Sequence, residues 1–251
     1  MSTPLRVPPY LTRLQAFVPA LARGAPILMY HKLGRPVAGA RIRNLYVSQP
    51  LFARQLEEMA ALGIEVTDVA SVLRIGPARR AVITFDDAYR SLHALGLPLL
   101  VARGLQATTY VVAGLIGGSN DWDIAKGHPR EALMSQTELR EWLAAGQRIG
   151  SHSLHHRNLA QIGEKDAREE INASKKSLED RFGVEVSDFC YPYGGYNQRV
   201  RDLVEEAGYR TATTTEFGLA RIGDDPFRLK RILVRHKSYA PKLWFKKETI
   251  E

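Results

Sequence analysis

Ala81-Val82-Ile83-Thr84-Phe85-Asp86-Asp87 is an apolar, β-branched run that ends in two adjacent carboxylates. Its alternation predicts a buried strand, and Gly76-Pro77 punctuates the chain just before it. Two like charges at the end of a buried strand repel each other and lose hydration, so a cation or a shared proton must relieve them. The plain alternative makes one Asp the cap of a following helix over 88–103 and turns the other to solvent.

Arg148-Ile149-Gly150-Ser151-His152-Ser153-Leu154-His155-His156 is a second short strand signal that opens into histidines. His152 and His156 stand at i and i+4, and a helical turn there would set both imidazoles on one face, within reach of one divalent ion. His155 offers a similar reach at i+3. A lone His reads as a satisfied core residue. Two of them with an Asp pair, each closing a predicted strand, read as a His-His-Asp ligand set with a further position for water. The expected cofactor is one divalent metal ion, zinc first, with Co2+ and Ni2+ as the other ions such a set suits.

The same rhythm extends in both directions. Strands are predicted over 27–30, 64–67, 107–113, 186–191, 209–214 and 229–234, with a small helix over 68–73 and longer helices between the others. Ser48, Ser135 and Asn197 are the expected N-caps, and Gly63, Gly146 and Gly208 the stops. The helix after Ser48 would bury Leu51, Phe52, Leu56, Met59 and Leu62; the one over 164–182 would bury Ile171, Leu178 and Phe182. About seven or eight βα units without a break in composition predict an α/β fold, a single barrel with parallel strands and outer helices. This domain is assigned to 25–236, after a basic arm (1–24) and before a basic, aromatic tail (237–251). In such barrels chemistry sits at the C-terminal strand ends, where His31, Asp86, Asp87, His152 and Tyr193 all fall. Residues 34–43 read as a long loop, and 114–130 as an irregular one whose Trp122 is either a platform for a sugar ring or a side chain folded back onto the barrel.

With 45% hydrophobic and 25% charged residues in a chain of 251, a sizeable core is available. The single Cys190 excludes an intramolecular disulfide and any multi-cysteine metal site, and mildly favours a reducing compartment. The net charge of +8 is uneven, because no Asp or Glu precedes Glu57 and basic residues crowd the end of the chain. Such termini read first as solvated faces; an anionic membrane surface or anionic glycan is the alternative partner, and no nucleic-acid module is visible. No apolar run is long enough to span a bilayer. Residues 14–22 mimic a signal peptide, but Gln15 and Pro19 interrupt them, so the cytoplasm is favoured over export. The oligomeric state is left open.

Thr-Phe-Asp-Asp at 84–87, Ser-His-Ser-Leu-His-His at 151–156 and Tyr-Pro-Tyr-Gly at 191–194 occur in order, and together they resemble the polysaccharide deacetylases of carbohydrate esterase family four. The Tyr-Pro-Tyr-Gly form is similar to the branch that holds the poly-N-acetylglucosamine deacetylases. The resemblance spans about residues 26–234 and implies a distorted (β/α) barrel with an open groove. It further implies a metal-dependent hydrolase that removes N-acetyl groups from a hexosamine-containing glycan. By this resemblance Asp87, His152 and His156 are metal ligands and Asp86 is the general base. Tyr193 supplies a backbone N–H to the oxyanion, although Tyr191-Pro192-Tyr193-Gly194 read alone is only a structural turn. Trp122, Tyr191 and Arg231 complete the expected substrate contacts.

Two positions depart from the pattern. Ala88 stands where many members have Gly, a cost of roughly 1 kcal/mol if that position requires φ > 0. Cys190 stands where many have an Arg paired with the catalytic Asp, and Arg231 of the last strand is the expected substitute. The acid that protonates the departing amine is His31, by likeness to the Tyr-Pro-Tyr-Gly branch, with His236 as its rival. Competing readings are a non-catalytic carbohydrate-binding protein on the same barrel and a hydrolase of other amides or O-acetyl esters.

Overall fold

The computed structural model describes residues 24–74 and 79–235. The assigned tail, His236 and all of the assigned arm but Gly24 lie outside them. Among the described residues the strands are β1 (Ile27–Tyr30), β2 (Lys32–Leu33), β3 (Tyr46–Val47), β4 (Glu65–Val66), β5 (Arg80–Phe85), β6 (Thr108–Val111), β7 (Arg148–Ser151), β8 (Asp188–Cys190), β9 (Thr211–Phe217) and β10 (Leu229–Leu233). Six helices accompany them: α1 (Gln49–Ala61), α2 (Leu97–Val101), α3 (Asp121–Ile124), α4 (Gln136–Ala144), α5 (Glu164–Phe182) and α6 (Gln198–Glu206).

β1 pairs in parallel with both β10 and β5, which closes the order β1-β10-β9-β8-β7-β6-β5 into a seven-stranded barrel. β4 is an eighth strand on the outside of this ring, paired only with the first two residues of β5. The expected distorted (β/α) barrel is the fold observed, with helices between the strands.

Alternation along β5 explains how one strand serves both a core and a site. Ile83 and Phe85 face outward into the main apolar layer, where the Phe85 ring meets Phe52 of α1 and Trp142 of α4 edge-on at 5.7 and 6.4 Å. Burying each such aromatic contributes about 1.5–3 kcal/mol. Val82 belongs instead to a small plug with Ile27 and Leu229, and Thr84 hydrogen-bonds Leu28 O and Arg231. Asp86 therefore continues the inward-facing series.

The predicted caps form: Leu51 N donates to Ser48 Oγ, Val200 N to Asn197 Oδ1, and Ser135 and Glu138 make a reciprocal capping box. The helix expected over 88–103 forms over the shorter span 90–101, and its middle is widened to a π-helical turn. The chain makes a non-helical turn through Asp87 and Ala88, then a π-helical turn over Leu92–Gly96, and only then α2. Pro98 in the first turn of α2 lacks the N–H that a continuous helix would need, and the widened turn absorbs that loss. The loop over 34–43 is closed by the β2–β3 pair, Lys32 opposite Tyr46 and Leu33 opposite Val47. Strands of two residues carry no sequence period by which to read them.

Candidate active site

On an extended strand Asp86 and Asp87 would point to opposite faces. Asp87 at φ 72° and Ala88 at φ 54° reverse the chain, and both carboxylates end buried at the barrel mouth. The left-handed conformation costs an L-residue about 1–2 kcal/mol, so Ala88 sits under the strain expected of a position that suits Gly. The bland alternative fails as well: both Asp86 oxygens are taken by Arg231, and Asp87 is buried between the two imidazoles instead of facing solvent.

Both oxygens of Asp86 are clasped by Arg231, Nη1 to Oδ1 and Nη2 to Oδ2 at 2.7 Å each. Arg231 is 1% exposed, donates Nε to Thr214 O and lies 3.1 Å from Cys190 Sγ. It is therefore the partner of Asp86 that the missing family Arg leads us to expect, while its burial keeps it from being the substrate contact also expected. The small Cys190 side chain leaves the room that the guanidinium fills. Burial would raise Asp86, and the charge and hydrogen bonds of Arg231 outweigh it and hold its carboxyl below the ordinary carboxylate value.

The histidine loop is not helical. Ser153 and His156 take φ 61° and 59°, and His156 N donates to Ser153 Oγ, so a tight turn rather than an i,i+4 helix face brings the imidazoles together. Glu170 of α5 holds this turn from below. Its buried carboxylate accepts from Leu154 N at 3.0 Å, His155 N at 2.8 Å and pairs with His155 Nδ1 at 2.9 Å. His155 is thereby turned away from the site and does not compete with His156. Glu170 was missed in the sequence because it sits within a charged helix that reads as a solvated face. Gly114 lies against the turn, where a Cβ would come within 2.7 Å of Leu154 O.

Asp87 Oδ1 lies 3.5 Å from His152 Nε2 and 3.2 Å from His156 Nε2. One ligand atom from each of the three residues falls within 4.8 Å of the others. His152 Nδ1 is 2.7 Å from Cys190 O, which orients the ring with Nε2 toward Asp87. Asp87 Oδ1 and His156 Nδ1 are buried with no hydrogen-bond partner, a cost that coordination would remove at the carboxylate. The donor set and the orphaned oxygen fit a divalent ion. Asp86, His152 and Cys190 form an overlapping group, but Arg231 already occupies both Asp86 oxygens.

The electrostatics agree with a pocket short of positive charge. Burial would lower the His152 imidazole, yet Cys190, Asp86 and Asp87 push it up to about 10. Burial would raise Asp87, and the nearby His156 and His152 hold it below its ordinary value. Burial pushes His31 down against the pull of Asp86 and Asp87. His31 Nε2 stands 3.8 Å from Asp86 Oδ2, and its Nδ1 is buried without a partner.

Around the pocket, Trp122 stacks on His156 with ring centroids 4.2 Å apart, and Tyr193 meets the same ring edge-on at 4.6 Å. Tyr193 has φ 59° and is 44% exposed, so its turn lies at the rim. Gly194 makes that turn: at φ +70°, a Cβ there would sit 2.1 Å from Thr215 Oγ1. Tyr191 is not at the surface. It is fully buried, donates its hydroxyl to Phe227 O and stacks on Tyr196, which corrects the expectation that it touches substrate.

Comparison with known proteins places this geometry. YxkH of Bacillus subtilis (strain 168), whose name assigns it provisionally to the polysaccharide deacetylases, is 27% identical over 215 residues, 83% of this chain and 71% of its own. The solved Streptococcus pyogenes deacetylase PplD, in complex with acetate, is 25% identical at a TM-score of 0.76, covering 91% of this chain and 98% of its own. IcaB from Ammonifex degensii shares the fold at a TM-score of 0.75 and 21% identity, over 88% of this chain and 96% of its own. The polysaccharide deacetylase family model matches residues 74–212, more than half of the chain, and both the Asp pair and the histidine turn fall inside it. The chain belongs to the polysaccharide deacetylase family, hydrolases that remove acetyl groups from carbohydrate.

Proposed function

We propose that the chain is a metal-dependent N-deacetylase of a hexosamine-containing glycan, with Asp87, His152 and His156 holding one divalent ion, zinc by preference. The orphaned, buried Asp87 Oδ1 between two imidazoles carries this reading. A bound divalent ion supplies Lewis acidity, which acidifies water and polarises a carbonyl.

The chain's own groups divide the remaining work. Asp86, kept ionised by Arg231, takes the proton of the attacking water as general base. The Tyr193 N–H, at the fixed turn after Pro192, donates to the oxyanion that forms on the acetyl carbon. His31, held neutral at the start by its burial, takes the water's proton from Asp86 across 3.8 Å and gives it to the departing amine, which restores both residues. Water is consumed, and acetate and a free amine are produced. Trp122, stacked on His156, closes one side of the pocket and offers its outer face to a sugar ring. Acetate and amine release from N-acetylated chito-oligomers, compared with O-acetylated and small non-sugar amide substrates, tests the choice of bond.

A further inference from the structure

The rim beside Tyr193 is cationic. Lys126 Nζ donates to Tyr193 OH at 3.0 Å and lies over the ring, 4.4 Å from its centroid. Arg41, from the loop between β2 and β3, donates Nη1 to Lys126 O and packs over Gly127, where a Cβ would come within 3.0 Å of its Nη2. Arg35 and Arg43 are exposed on the same loop. Among the described residues no carboxylate pairs with any of these four, although Arg130 close by pairs with Asp121. Asp87 and Asp123 are the acids felt by Tyr193 and His156, and among the described residues neither forms an ion pair with Lys126 or Arg41.

The rim is also held in place. Lys32 of β2 and Tyr46 of β3 both reach Glu131 Oε1 at 2.6 Å, and Asn120 bridges Pro129 O and Glu131 N. The arginine loop is thus pinned to the loop that carries Trp122 and Lys126. Lys126 keeps two of its three donors, and Arg41 keeps most of a planar fork matched to carboxylate or phosphate. Tyr193 and His156 connect this pair directly to the pocket.

We propose that Arg41 and Lys126 bind a negatively charged group, a carboxylate or a phosphate, on the sugar next to the one whose acetyl group is removed. The substrate is then an anionic glycan, and the proposal rests on the deacetylase reading above. Free cations at a substrate rim can donate to the neutral oxygens of any sugar, but only an anionic ligand adds ion pairing to those hydrogen bonds. A neutral polymer of acetylated hexosamine would leave the charge of both cations unpaired.

Binding to three oligosaccharides tests this: acetylated chitotetraose, the same oligomer oxidised to carboxylate at C6, and the same oligomer phosphorylated at C6. Calorimetry on the full chain at low and high salt gives each affinity, and acetate release from all three oligomers is scored in parallel. The expected result is binding of at least one anionic oligomer about tenfold tighter than the neutral one at low salt, with the gap shrinking as salt screens it. Arg41→Glu/Lys126→Glu should erase that preference while leaving affinity for the neutral oligomer within about twofold. The tighter anionic oligomer identifies the group. Equal or undetectable binding of all three overturns the anion subsite, whatever the acetate assay shows. Absence of acetate with the anionic preference intact overturns the deacetylase reading alone.

Discussion

Arg231 grips Asp86 with both terminal nitrogens at 2.7 Å, from the strand that closes the barrel onto β1. The pair is buried, so its energetics are dominated by what happens when one partner is removed. Arg231→Met should leave a lone buried carboxylate and cost about 3–5 kcal/mol, read as a shift in the denaturant midpoint. Asp86 should also protonate at higher pH, so the acid limb of the rate profile should move upward. A variant with unchanged midpoint and pH profile would show that the pair supports neither fold nor base.

The adjacent carboxylates should separate cleanly. Asp87→Ala should lose metal and activity together, because Asp87 is the carboxylate between the imidazoles. Asp86→Asn, an isostere still able to meet Arg231, should keep the metal and lose activity by about 100-fold or more. Metal analysis beside acetate assays reads both, and metal loss in the Asn variant would exchange the two roles.

Much of this was legible because barrel strands advertise themselves: β1 and β5 are largely apolar runs that stop at His31 and Asp86, and the strand order follows from the βα rhythm. Arg231 was legible as a substitute for the missing Arg at Cys190, though not as a residue sealed from substrate, because burial of a guanidinium leaves no mark in local sequence. The histidine turn was misread as helical since i,i+4 spacing is also what a left-handed turn at Ser153 and His156 can bring together. Glu170 and the Arg41–Lys126 rim stayed hidden for a different reason. Their partners lie 15 and 85 residues away, and only the closed barrel brings them together.

His152 makes metal binding dependent on pH in a stated direction. Its value, pushed up to about 10, lies above the ordinary imidazole value, so the metal-free site carries a proton there at neutral pH. A metal ligand must be neutral, so the ion competes with that proton. Affinity should rise by about tenfold per pH unit from neutrality toward the His152 value, with about one proton released per ion. Calorimetry in buffers of differing ionisation enthalpy measures the proton count; affinity independent of pH would remove His152 from the ligand set.

His31→Ala should keep fold and metal while losing most activity, about 100-fold or more, as removal of a general acid requires. His31 touches Asp86 rather than the ligand trio, which is why metal content should survive. His236, outside the described residues, should be nearly silent when changed to Ala. Circular dichroism, metal content and acetate release on both variants decide between them, and the opposite ranking would assign the acid to His236.

The most direct measurement is acetate release from N-acetylated chito-oligomers before chelation, after chelation and after return of zinc, with the metal content determined at each stage. One divalent ion per chain is predicted, with acetate and amine formed in step, lost with the ion and regained with it. Acetate release that persists in metal-free protein, or none from protein holding a full complement of ion, would contradict a metal-dependent N-deacetylase.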